Sequence, residues 1–187
     1  MRERPTPAVG ALRHLPSRLD FIIDPRVRLA CEHWRSLLRD ASPPDRRTLD
    51  PGEMKAALPH LWICEEQAEG QFYFRLTGEE VNRLFGESLR HRPIERVFAE
   101  PVLAEVVEKL SRVLDERCLV WSLGPLFAAF PQGPAGECAV MPIAIGGSGR
   151  AVLGVSVSHA AIPEPPRRLY PIWQRREIVP LVDLAPI

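Results

Sequence analysis

The stretch that most limits what this chain can fold into runs from His60 to Gly86, because it holds three elements and both of their connections. A short apolar run, Leu61 to Cys64, is followed by a polar tip, Glu65 to Gly70, and by an alternating run, Phe72 to Leu76. Two apolar runs joined by a short polar segment that contains glycine predict a β-hairpin.

A short helix is predicted directly after the hairpin. Thr77 and Glu80 have the spacing of a capping box at its start, and Gly86 is a typical stop. The positions between them place three apolar residues on one helical face: Val81, Leu84 and Phe85. A hairpin that leads into a helix begins a mixed α and β fold, whose sheet needs further strands from the rest of the chain.

Start signals predict two helices before the hairpin. Asp24 is a good N-cap and Pro25 suits the first helical position, and the next fourteen residues carry an apolar stripe: Val27, Ala30, Cys31, Trp34, Leu37 and Leu38. Asp50-Pro51 is a second start signal, for a helix of one or two turns that ends before Pro59.

The longest helical pattern in the second half of the chain opens at Pro101. Its apolar face consists of Leu103, Val106, Val107, Leu110, Val113 and Leu114, and the charged residues Glu105, Glu108, Lys109 and Arg112 are assigned away from that face. A face of this width is suited to lie across a sheet.

Three strands are predicted after this helix, at 118–123, 138–145 and 151–158. Gly146, Gly147 and Gly149 supply the hairpin connection between the last two. Alternation places two sets of apolar residues on what we expect to be the core face of the sheet: Met141, Ile143 and Ile145, and Leu153, Val155 and Val157.

The charge balance argues against a nucleic-acid or membrane partner. Lys plus Arg equals Asp plus Glu at 24 each, so the chain has no overall positive field to attract phosphates. No apolar run approaches the ~20 residues of a transmembrane helix, and the N-terminus lacks the apolar core of a signal peptide. The four cysteines are widely spaced without a C-x-x-C motif. These features predict a cytoplasmic protein in a reducing compartment.

The sequence divides into three regions. Residues 1–24 form an N-terminal arm, residues 25–158 a single domain with its flanking helix, and residues 159–187 a proline-rich tail. The tail keeps many large apolar residues, so we expect it to pack on its own domain or on a dimer partner.

Several stretches carry a resemblance to a known family: HWRSLLRD at 33–40, R-x-L-D-P at 47–51, LPHLWICE at 58–65, FYFRLTGEEVNRLFG at 72–86 and VMPIAIGGSGRAVLGV at 140–155. The chain resembles, over about residues 25–158, the short bacterial PAS-like proteins that consist of little more than one PAS domain. The resemblance implies an α+β fold, with a five-stranded antiparallel sheet, crossover helices on one face and a small-molecule cavity possible between them. A homodimer is a further expectation from the resemblance.

The usual cofactors of PAS sensors find no ligands in the expected places. Haem-binding relatives take an axial histidine from the long crossover helix, and residues 101–115 contain none. Flavin photosensors need a cysteine on the short helices after the second strand, and residues 77–117 contain none. A metal site formed by His60, His91 and Cys118 is disfavoured because these residues have no ligand spacing. We therefore predict no cofactor and no metal.

The candidate ligand-binding residues are those that strands and crossover helices would bring together: Trp62, Phe74, Phe85, Phe98, Trp121, Ile143 and Val155. The alternative is that they fill the space as ordinary core. Arg75, in the middle of a strand, is an ordinary surface arginine if it faces solvent; otherwise we expect it to pair with Asp50 or Glu80, with an anionic ligand as the less favoured partner. Glu65-Glu66 is placed at the hairpin tip, where catalysis is not expected.

These observations favour a non-enzymatic sensory or regulatory module that binds a small apolar or amphipathic ligand, or a protein partner, in signal transduction. Two alternatives stay open. One is an interaction scaffold with a filled cavity. The other is a small pocket enzyme of isomerase or hydratase type, which would need a buried acid or histidine facing the cavity, and His60 or Glu65 pointing inward beside an open pocket would favour it strongly.

Overall fold

The computed structural model describes residues 18–125, 135–147, 149–159 and 174–185. Within these ranges it contains four helices and six strands. In chain order they are α1 (Pro25–Ser36), β1 (Leu61–Ala68), β2 (Gln71–Thr77), α2 (Glu79–Phe85), α3 (Glu100–Asp115), β3 (Cys118–Pro125), β4 (Ala135–Ile145), β5 (Gly149–Ser158), β6 (Arg175–Pro180) and α4 (Leu181–Leu184). Single turns of 3-10 helix lie at Arg46–Thr48, Leu58–His60 and Ile94–Arg96.

All described strands join one antiparallel sheet in the order β2-β1-β5-β4-β3-β6. The predicted α+β fold with an antiparallel sheet is confirmed, but the predicted number of five strands is wrong. Residues 175–180, assigned to the tail, form a sixth strand beside β3, with Val120 opposite Ile178. Five of these six residues are exposed, so the segment lacks the apolar alternation by which a half-buried strand is recognised. The apolar residues at 169–173 lie outside the described part of the chain.

Both faces of the sheet are buried. One face, here called the α1 face, lies under α1 and residues 19–22, and the other, the crossover face, lies under α2, α3 and the turn Ile94–Arg96. Consecutive residues of β4 alternate between them, with Ala139 on the α1 face and Val140 on the crossover face. The two apolar sets predicted for β4 and β5 do share one buried face, the α1 face, but the crossover face is buried as well, so the sheet has two core faces and not one.

Helix α1 forms as its sequence predicts. The Asp24 carboxylate accepts a hydrogen bond from the Arg26 N–H at 2.8 Å, and Pro25 occupies the first turn. The predicted apolar stripe is buried on the α1 face except for Leu37, which is half-buried, and the Trp34 indole N–H donates to the Pro142 carbonyl at 2.9 Å. Trp34 is fully buried, so its truncation to alanine would cost about 3–5 kcal/mol of stability.

The predicted capping box is wrong. Helix α2 begins at Glu79 with Gly78 as N-cap, while Thr77 is still paired with Trp62 in the sheet and its hydroxyl bonds to the Asn82 side chain at 2.7 Å. The tight turn requires glycine, because a Cβ on Gly78 would lie 2.5 Å from the carbonyl carbon of Pro59. The predicted short helix after Asp50 is also wrong, because residues 51–57 form successive turns.

Candidate functional site

A cavity of about 80 Å³ lies between the crossover face of the sheet and the helices that cover it. Trp62 and Phe74 form its wall on the hairpin, and Phe85, Phe98 and Val106 form its wall on the helical side. The hairpin supplies two aromatic rings at this point. Trp62 and Cys64 are two residues apart in β1, and Cys64 pairs with Phe74 of β2, so the side chains of Trp62 and Phe74 both reach the cavity.

Four of the predicted ligand-binding residues line this cavity and three do not. Trp62, Phe74, Phe85 and Phe98 are in its wall. The assignment is corrected for three residues that lie on the opposite, α1 face of the sheet: Trp121, Ile143 and Val155. The Trp121 ring packs against Phe21 at a centroid distance of 5.4 Å. Because both faces of β3, β4 and β5 are apolar, alternation alone could not show which set meets the crossover helices.

The cavity also contains a buried amine that the sequence analysis missed. Lys109 of α3 lines the cavity, and its Nζ donates to the Ser122 hydroxyl at 3.1 Å. The assignment of Lys109 away from the apolar face is wrong. Its spacing contained the signal, because position 109 is three residues after Val106 and four before Val113, which are both buried on that face.

Burial changes the acid–base properties of this amine. Desolvation lowers the pKa of Lys109 from its ordinary value, because the ammonium form loses its hydration in an apolar surrounding. Lys109 is therefore the basic group of a mostly apolar wall, whose other polar side chains are Glu137, Cys138 and Ser156.

A short hydrogen-bonded chain lies in the sheet wall of the cavity. The Trp62 indole N–H donates to the Ser156 hydroxyl at 2.8 Å, and the hydroxyl donates to the Cys138 sulfur at 3.5 Å. Trp62 meets Phe74 edge to face, with ring centroids 6.1 Å apart. Gly154 makes this position possible, since the indole lies over the backbone where any larger residue would place its Cβ. The indole is thus held by both packing and a hydrogen bond.

The antiparallel sheet, the crossover helices and the cavity between them agree with the comparison to known families. The PAS domain family model matches residues 23–154, more than two thirds of the chain. The chain belongs to the PAS domain family. PAS domains are in general sensory and regulatory modules without catalytic activity. Comparison with curated proteins finds no match.

The match ends within β5, so strand β6 lies outside the matched part of this PAS domain. In the described ranges, no helix is both long and apolar enough to cross a membrane.

Arg75 of the PAS domain has a different partner from either that was predicted. Its Nη1 lies 3.0 Å from Oε1 of Glu65 on the neighbouring strand, rather than near Asp50 or Glu80. The placement of Glu65-Glu66 at the hairpin tip is also wrong, because both residues lie within β1. Glu66 forms an ion pair with Arg150 of β5 at 2.6 Å. These carboxylates tie strands together.

Two of the groups considered for an enzymatic reading, His60 and Glu65, lie away from the cavity of this PAS domain, whereas a buried acid, Glu137, is among its lining residues and its carboxylate accepts three N–H groups. His60 Nε2 is 3.1 Å from Nη1 of Arg26, and its pKa is lowered by burial and then by the Arg26 charge. Glu65 is held by Arg75. Neither His60 nor Glu65 is among the cavity-lining residues. Among the residues that the structure describes, no group of three His, Cys, Asp or Glu side chains could hold a metal ion.

The cavity volume limits what this PAS domain could enclose. Typical pockets for drug-sized ligands and cofactors measure about 300–1,000 Å³, several times the volume found here. A molecule with only a few heavy atoms matches the space. Absence of haem and flavin stays a prediction that rests on the missing histidine and cysteine.

Proposed function

We propose that this PAS domain is a non-enzymatic sensory module that binds a small amphipathic molecule, with a carboxylate head and a short apolar tail, in the cavity. The observation that supports this is the position of Lys109, a basic residue in a mostly apolar wall whose acid, Glu137, already has its carboxylate bound by three N–H groups. The tail would contact the aromatic rings of Trp62, Phe74 and Phe85.

A carboxylate head suits the cavity on electrostatic grounds. Burial disfavours the charged form of Lys109, and an anion beside it would restore part of the lost stabilisation. Charge-assisted hydrogen bonds of this kind are about twice as strong as neutral ones. The volume restricts the tail to a short chain.

A route from the cavity to the N-terminal helix runs through β4. Cys138 lies in the cavity wall. The preceding residue, Glu137, accepts hydrogen bonds from the backbone N–H groups of Ile23 at 3.0 Å and Asp24 at 2.8 Å, which anchor the start of α1. A ligand that shifts β4 would alter these two hydrogen bonds and thereby the packing of α1 on the sheet. The packing of α1 with ligand and the packing without it would be the two signalling states.

The first test is native mass spectrometry of the protein purified from its own host, compared with a denatured sample. A co-purifying mass of a few heavy atoms is expected, and its identity would give the ligand directly. The same spectrum reports whether the protein is a homodimer, which we expect from the family.

The second test is a calorimetric titration of the purified protein with butyrate and, separately, with 1-butanol. Butyrate is expected to bind about tenfold more tightly than the alcohol, because of the charge-assisted bond to Lys109. Lys109→Met is expected to abolish this preference. Lys55→Met, which removes an exposed lysine outside the cavity, should retain it. Equal binding of the acid and the alcohol by the unmodified protein would refute the proposal.

The second candidate function is an interaction scaffold, favoured by the small volume of the cavity. Its contact surface would be the outer edge of β6, near which Ile178 and Val182 are exposed. A ligand-free mass together with a stable dimer, and no response to butyrate, would support this candidate.

A further inference from the structure

A second pocket, of about 320 Å³, lies at the hairpin, where β2 forms one edge of the sheet. It shares no lining residue with the cavity described above. Three arginines from separate segments line it: Arg46 from the 3-10 turn Arg46–Thr48, Arg75 from β2, and Arg90 from the segment after α2. Three guanidinium groups around one pocket of this size are an arrangement that recognises anions.

Arg75 keeps donors available despite its ion pair. Its Nη1 alone contacts Glu65, at 3.0 Å from Oε1 and 3.3 Å from Oε2. In the described part of the chain, Nε and Nη2 of Arg75 have no hydrogen-bond acceptor. The planar guanidinium group can therefore hold Glu65 on one side and a second anion on the other.

The acids nearest in sequence to the other two arginines are paired elsewhere: Glu87, near Arg90, pairs with Arg92 at 3.5 Å, and Asp45, beside Arg46, pairs with Arg47. Asp45 is bound by Arg47, through the backbone N–H and both Nε and Nη2. Arg46 and Arg90 form no ion pair with any residue that the structure describes. Both are exposed.

The pocket consequently carries about two net positive charges, from three arginines and one carboxylate. A phosphate monoester carries about −1.5 to −2 at pH 7, with three acceptor oxygens. The Ser88 hydroxyl accepts a hydrogen bond from the backbone N–H of Arg90 at 3.4 Å, and it retains its own proton for a bond to a ligand. This balance fits a dianion better than a carboxylate.

The remainder of the lining consists of Thr77, whose hydroxyl already bonds to Asn82, and two apolar residues. Ile63 and Leu76 lie in the pocket wall, and Leu76 is 46% exposed, an unusual position for a leucine in a strand. The volume falls at the lower end of the range for small-molecule sites. We propose that this pocket binds a small organic phosphate, with the phosphate among the arginines and the organic group on Leu76.

Calorimetric titration with phenyl phosphate at low ionic strength tests this proposal, since salt screens exposed charges. The full chain is expected to bind it, and Arg46→Gln and Arg90→Gln are each expected to weaken binding about tenfold. Arg96→Gln is the matched control, because Arg96 is also exposed and lies outside the pocket. Its affinity should equal that of the unmodified chain.

Three results would overturn the proposal: no binding, equal losses in the Arg96 control and the pocket variants, or equal affinity for benzoate. A spectrum of backbone amides locates the ligand independently of any variant. Phenyl phosphate should shift the amide signals of Leu76, Ser88 and Arg90 and leave those of Val106 and Lys109 in place. Shifts confined to Val106 and Lys109 would place the ligand in the other cavity and refute the assignment.

Discussion

Replacement of Gly154 by alanine tests whether the Trp62 indole is held in the way that the structure describes. Gly154 of β5 lies directly opposite Trp62 of β1. A Cβ at this position would lie 2.5 Å from Cδ2 of the indole and nearer still to two other ring carbons. Favourable carbon contacts begin near 3.5 Å. The ring must therefore retreat by about 1 Å or more, and its hydrogen bond to Ser156, now 2.8 Å, would be lost.

The expected loss of stability follows from three contributions. Overpacking costs about 1–3 kcal/mol, and the lost hydrogen bond costs about 1 kcal/mol. Alanine in a strand recovers about 0.5–1 kcal/mol relative to glycine. The free energy of unfolding should therefore fall by about 2 kcal/mol, which lowers the midpoint of thermal unfolding by about 4–8 °C in a chain of this size.

Urea and thermal unfolding, followed by circular dichroism, measure this effect. Gly146→Ala is the matched control, because a Cβ there meets no atom within 4 Å. It should be neutral or slightly stabilising. The double variant Gly154→Ala/Trp62→Leu should be less destabilised than the sum of the two single variants. Equal stability of the Gly154 and Gly146 variants would show that the indole does not lie over the strand.

Three further predictions concern buried ionisable groups. Lys109→Met should unfold at a higher urea concentration than the unmodified protein at pH 7, and the difference between the two urea midpoints should close as the pH approaches 10.5. This is because burial lowers the pKa of the folded amine below that value, so the unfolded state binds the proton more strongly; a gap that is constant with pH would contradict the shift. Glu137→Gln should cost about 3 kcal/mol in urea unfolding, since its buried carboxylate accepts three N–H groups, whereas Glu105→Gln, at an exposed position, should change stability by less than about 0.5 kcal/mol. The four cysteines are buried, and burial raises the pKa of Cys118 to about 11, so a disulfide reagent at pH 8 should label the protein only after unfolding; fast labelling of the native protein would disprove this.

The sequence predicted the secondary structure correctly where the apolar periodicity and the turn residues indicate the same element. Local patterns correctly predicted the hairpin of β1 and β2, the cap at Asp24 and the hairpin of β4 and β5. Each of these features depends mainly on residues that are close together in the sequence. β6 was missed because an exposed edge strand is fixed mainly by backbone pairing with β3. The false capping box at Thr77 arose because the sheet and the Pro59 carbonyl, both distant in sequence, set the start of α2.

The candidate cavity was predictable only in part. Aromatic residues on the hairpin and beside the crossover helices were assigned to it from the sequence, and Trp62 and Phe85 do line it. Trp121 could not be assigned, because its strand is buried on both faces and its side is decided by pairing with β4. Lys109 was overlooked because a charged residue was given to solvent by its type, although its spacing placed it on the buried face.

The hydrogen bond between Trp34 and Pro142 bears on how the chain avoids aggregation. Strand β4 extends past the last residue paired with β3, so its final residues have an open edge. Pro142 has no N–H to offer, its carbonyl is taken by Trp34, and the Ala144 N–H donates to the Pro44 carbonyl at 2.9 Å. A strand from another molecule would have to break both bonds before it could pair here. Helix α1 and the segment that follows it, at Pro44, thus protect an edge at which the sheet could otherwise grow into an aggregate.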